Sequence, residues 1–127
     1  MLKRALVVDD SPYIQKELSK ILEKHGCEVV GVASNGLEGV KKYRELKPDF
    51  VTLDLVMPQM GGIQTLVLMK KIDPAAVVIM VSSMSGKDKI VECANAGASH
   101  YILKPFEEDK VVEVLGKVVF KGEVPAG

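Results

Sequence analysis

The feature that most constrains this chain is an alternation. Five short apolar runs rich in β-branched residues are each followed by a longer segment of helical period. "RALVVD" precedes "PYIQKELSKILEKHG", in which Ile14, Leu18, Ile21 and Leu22 fall on one helical face. Ser11 suits the cap of that helix, Pro12 its first turn and Gly26 its end. The pattern continues with "EVVGVA" and "GLEGVKKYREL", "DFVTLD" and "GIQTLVLMKKI", "AVVIMVS" and "KDKIVECANAG", then "HYILK" and "DKVVEVLGKVVF". Strands that are apolar on both faces and joined by helices predict a parallel sheet covered on two sides, an α/β doubly wound fold.

Such a sheet needs a core, and 127 residues with 47% hydrophobic content supply one for a single domain. Lys plus Arg and Asp plus Glu number 17 each, so no net field draws the chain to nucleic acid or to an anionic membrane. Partner recognition must be local. The pairs Lys41-Lys42 and Lys70-Lys71 lack interleaved aromatics and read as solvated helix faces. No apolar run reaches the roughly 18 residues of a membrane span, and "MLKRALVVDD" turns acidic too soon for a signal-peptide core. Cys27 and Cys93 form neither a C-x-x-C pair nor a zinc spacing, and read as buried thiols of a cytoplasmic protein. His25 and His100 have no acidic or cysteine neighbour at ligand spacing and read as packed or solvated. Met69 and Met80 are expected in the core, and Met57, Met60 and Met84 at the lip of a site.

In open α/β sheets ligands bind beyond the carboxyl ends of the strands, where strand order reverses. The first run ends in Asp9 and Asp10, the third in Asp54, the fourth in Ser82 and Ser83, and the fifth in Lys104 and Pro105. Taken alone, Asp9 and Asp10 would also serve as a turn and helix-cap pair. Three carboxylates at one rim repel, so either one stays protonated or a cation compensates them. Hard oxygen donors with room for water suit magnesium, and magnesium beside a free carboxylate and a lysine is equipment for phosphoryl transfer. With an aspartate as nucleophile the product is an acyl phosphate. Asp54 is the best candidate, because it stands alone at a strand end before the loop "LVMPQMGG".

These motifs in this order resemble the receiver domain of two-component response regulators, most nearly its single-domain chemotaxis members. The resemblance implies a (βα)5 flavodoxin-like sheet of order 2-1-3-4-5, a receiver over residues 1–120, and a tail or linker stub over 121–127. It implies that Asp54 accepts a phosphoryl group from a sensor histidine kinase. It further implies that Asp10, Asp54 and the Val56 carbonyl ligate Mg2+, for which Mn2+ can substitute, with Asp9 acting through water. Lys104 would pair with phosphoryl oxygens and precede a cis bond to Pro105. Ser82 would be the switch hydroxyl and Tyr101 the coupled aromatic, turning inward as the surface of the fourth helix, fifth strand and fifth helix changes. Two positions depart from the common pattern: Val56 stands where many members carry a polar side chain that helps position hydrolytic water, and Ser82 replaces the commoner Thr.

The implied function is a signalling switch that catalyses only its own phosphorylation and dephosphorylation. It would be a cytoplasmic monomer, without nucleic acid or membrane, acting on a downstream protein such as the flagellar motor switch and served by a phosphatase. A phosphorelay intermediate, or a receiver cut from a larger regulator, would carry the same site. A phosphohydrolase of the haloacid dehalogenase type would want a second acid two residues after the nucleophile, where this chain has Val56. A receiver-like domain that binds partners without phosphorylation would usually lack one of the acids or the lysine, and all are present.

Overall fold

The apolar run Lys3–Val8 forms strand β1, the hub of the sheet, and β2 (Cys27–Ala33) and β3 (Phe50–Leu53) pair with its two edges in parallel. The computed structural model describes residues 1–121, so the proposed tail lies almost wholly outside the described residues. β4 (Val78–Ser82) pairs with β3, and β5 (His100–Leu103) with β4, giving the parallel order β2-β1-β3-β4-β5 that the resemblance implies. The helices α1 (Pro12–Lys24), α2 (Gly36–Leu46), α3 (Gly62–Ile72), α4 (Lys87–Asn95) and α5 (Glu108–Val118) alternate with the strands.

Because successive strand residues face opposite sides, β1 feeds two cores. Ala5 and Val7 pack with Leu18, Ile21 and Leu22 of α1 and with Val111, Val114 and Leu115 of α5. Leu6 and Val8 pack on the other side with Tyr43 of α2, Leu66 and Met69 of α3 and Cys93 of α4. Full burial stabilises each large aliphatic side chain by about 1.5–3 kcal/mol, so the strands are anchored from both faces. The expected α1 stripe is the observed one, with Ile14 partly buried beside it.

Local signals place the helix ends. Ser11 caps α1 by accepting from the Ile14 amide, Pro12 opens the first turn, and Gly26 takes φ +86° just after it, a conformation glycine adopts freely. Met69 and Met80 are fully buried, and Met57, Met60 and Met84 are half-buried around the rim, as expected. Cys27 and Cys93 are buried free thiols. No helix among the described residues is long and apolar enough to cross a membrane.

Candidate functional site

Strand order reverses between β1 and β3, and the residues that follow their last paired positions converge there. Each is held by a ladder bond that runs past the strand end. The Asp9 amide donates to the Ala33 carbonyl (3.0 Å), the Asp54 amide to Val8 (2.9 Å) and the Lys104 amide to Ser82 (2.8 Å). The loop after β3 is then folded tightly back. A Cβ added at Gly62 would sit 2.3 Å from the Asp54 carbonyl oxygen, and the Gly62 amide donates to the Leu55 carbonyl (2.8 Å). Only glycine lets α3 start this close to the Asp54 backbone.

Asp9, Asp10 and Asp54 each offer a carboxylate oxygen within 4.8 Å of the other two, forming an acidic cluster that can hold a metal ion. Asp9 and Asp54 are buried, whereas Asp10 is exposed. Lys104 Nζ lies 2.7 Å from Asp9 Oδ2 and 3.6 Å from Asp54 Oδ1. Burial, aided by the charges of Asp9 and Asp10, pushes the Asp54 carboxyl up to about 6, although Lys104 and the Leu55 amide (2.8 Å from Oδ1) act the other way. Three acids against one lysine leave an excess of negative charge. Hard oxygens, one open face and uncompensated charge fit a small divalent cation.

Ser82 is buried at the end of β4, and its Oγ accepts from the Met84 amide (3.2 Å). Ser83, beside it, is exposed. Tyr101 is half-buried, and its hydroxyl donates to the Met84 carbonyl (2.6 Å), so both residues of the expected switch meet at one backbone segment. The Lys104–Pro105 bond is cis. Val56 is 62% exposed, and its side chain puts no polar group at the mouth of the site.

Some contacts had no signal in the sequence. Gln15 of α1 donates to the Asp9 carbonyl, and the Tyr101 hydroxyl reaches the Met84 carbonyl 17 positions away, whereas the Met84 amide meets Ser82 Oγ at a local spacing of two. His25 was expected to lack acidic neighbours, yet the fold brings its Nε2 to 2.6 Å from Glu108 Oε2, with Lys24 also at 3.2 Å. Lys42 and Lys70 are less solvated than their pairs suggest, because their ammonium groups donate to the Val32 and Ala76 carbonyls. His100 remains packed against its own backbone.

The fold and the rim together define a receiver. The model of the response regulator receiver domain matches residues 5–116, and the chain belongs to that family, whose members serve two-component signalling. Among individual proteins it is similar to the chemotaxis protein CheY of Thermotoga maritima, with 48% identity over 93% of this chain and 98% of that protein. CheY of Bacillus subtilis is 42% identical over 94% of this chain and 99% of its own length. A solved structure described as the CheX-CheY-BeF3-Mg+2 complex from Borrelia burgdorferi superposes with a TM-score of 0.88 at 34% identity, covering 91% of this chain and 87% of that one.

Proposed function

We propose that this protein is a phosphorylation-controlled chemotaxis switch. The observation that carries the reading is the cluster itself: three aspartates at the ends of the adjoining strands β1 and β3, Lys104 reaching them from the end of β5, and a buried serine hydroxyl at the end of β4 between β3 and β5. Asp10, Asp54 and the Val56 carbonyl would hold Mg2+ and Asp9 would support it through water; the ion, when bound, neutralises charge on phosphoryl oxygens. An Asp54 carboxylate oxygen attacks the phosphorus of a kinase phosphohistidine. The O–P bond forms, the P–N bond breaks, and the leaving imidazole takes up a proton. Lys104 then exchanges its contact with Asp9 for one with the phosphoryl oxygens, and Ser82 donates to another.

The output is a changed surface on α4, β5 and α5, where Val91 and Leu103 stand exposed. Similarity to two chemotaxis proteins over nearly their full lengths supports the flagellar motor switch as the partner. The solved relative named with beryllofluoride and magnesium supports the choice of ion and mimic.

Incubation with Mg2+ and a small phosphodonor should add one phosphoryl group by intact mass, and Asp54→Asn should abolish it. Labelling of Asp54→Asn at the parent rate would give the nucleophile's role to another residue. Lys104→Ala should still label, but the modification should no longer reach the output face. A peptide from the N-terminus of the motor switch protein of the same organism should bind more tightly with the mimic than without it. Equal binding in both states, with the mimic seated, would replace the motor with a phosphorelay partner.

A further inference from the structure

Asp9 is held at every polar atom. Its amide donates to the Ala33 carbonyl (3.0 Å), Oδ1 accepts from the Ser11 amide (2.9 Å) and Oδ2 from Lys104 Nζ (2.7 Å). Its carbonyl oxygen accepts from Gln15 Nε2 at 2.6 Å. Asp10 has no comparable support: its carboxylate is exposed and makes no hydrogen bond or ion pair among the described residues. What keeps that carboxylate within reach of the cluster is therefore the placement of its backbone, from which the side chain starts. The Asp9 carbonyl and the Asp10 amide belong to one planar peptide that also contains the Asp10 Cα, so an anchor on the oxygen fixes the point from which the Asp10 side chain departs.

We propose that Gln15 is the positioning residue for Asp10: by clamping the Asp9–Asp10 peptide it holds the exposed carboxylate in its metal-binding orientation. The inference rests on the reading of Asp10 as a metal ligand. A carbonyl only accepts, so the nitrogen of the Gln15 amide must face Asp9. Its second hydrogen goes to Ser34 Oγ (3.1 Å), beside the Asn35 that caps α2. The Gln15 backbone is itself fixed, its amide donating to the Ser11 carbonyl (3.0 Å) in the first turn of α1. The strut thus stands on a rigid element and ties α1, β1 and the turn after β2 together at the metal-binding rim.

Gln15→Met keeps the length of the side chain and removes both donors. With Mn2+ as the probe, titrated into the unphosphorylated protein, this variant should bind about tenfold more weakly, the scale of losses when the outer partner of a metal ligand is removed. Before any ion is added, the Asp10 amide should shift in a nitrogen–proton correlation spectrum. In an Asp10→Asn background Gln15→Met should cause no further loss, because the carboxylate through which it acts is gone. Parent-like affinity of Gln15→Met, or an equal loss in both backgrounds, would overturn the strut while leaving Asp10 as a ligand. Parent-like affinity of Asp10→Asn alone would remove the ligand role, and the strut with it.

Discussion

Asp54 sits in a place that disfavours its own charge. Its side chain is 9% exposed, and burial with two acidic neighbours raises the carboxyl to about 6. In the unfolded chain it returns to about 3.9. Between those values the native state holds a proton that the unfolded state has released, so stability falls as pH rises through the window and the full penalty stands above it. Asp54→Asn should stabilise the metal-free protein by about 1–3 kcal/mol at neutral pH, and by progressively less toward about pH 4. Urea unfolding in a chelator at several pH values checks this; a gain independent of pH would mean that the carboxyl ionises normally. Asp54, Asp10 and Lys104 were legible because each ends an apolar run, a feature of local sequence. Gln15 was not, since nothing in an ordinary amphipathic helix marks which polar residue will turn back onto the loop before it.

The elements themselves were legible for the same reason, since a buried strand and an amphipathic helix each announce their period within a few residues. What the pattern did not carry is how polar groups are satisfied inside them. Thr52, on the four-residue strand β3, is buried, and its Oγ1 has no hydrogen-bond partner among the described residues. In register it lies between Val7 and Ile79, both in the α1–α5 core. Thr52→Val keeps the shape and removes the orphaned hydroxyl, so it should stabilise the fold by about 1 kcal/mol. The denaturation midpoint should rise with an unchanged slope. A fall would show that the hydroxyl is bonded after all, through water. The fastening of α1 to α5 is equally invisible to pattern: His25 and Glu108 are 83 positions apart. The Glu108 carboxyl is held below its usual range by His25 and then Lys24, so this contribution is present above the ordinary Glu range and fades as acid protonates Glu108.

For the whole molecule, the proposed switch raises the question of how a phosphoryl group on Asp54 would reach a face formed by α4, β5 and α5. The hydrogen bonds offer a short route through Met84, whose amide donates to Ser82 Oγ (3.2 Å) and whose carbonyl accepts from the Tyr101 hydroxyl (2.6 Å). If Ser82 turns to donate to a phosphoryl oxygen, its own oxygen leaves the Met84 amide. The segment after β4 must re-seat, and Tyr101 with it. Two arrangements of one backbone segment, biased by one local charge, would make a two-state coupling of the kind that shifts partner affinity. Ser82→Ala removes the hydroxyl and leaves the carboxylates and Lys104 in place. It should still accept a phosphoryl group from a small donor, yet the Tyr101 ring resonances should stay put when beryllofluoride binds. The parent should bind the motor-switch peptide about tenfold more tightly with the mimic, and Ser82→Ala with no gain. The chain has no Trp and three Tyr, so the aromatic signals to follow are few. An undiminished gain in Ser82→Ala would move the coupling from Met84 to Lys104, which a phosphoryl group would draw from Asp9 at the opening of the last strand-to-helix loop.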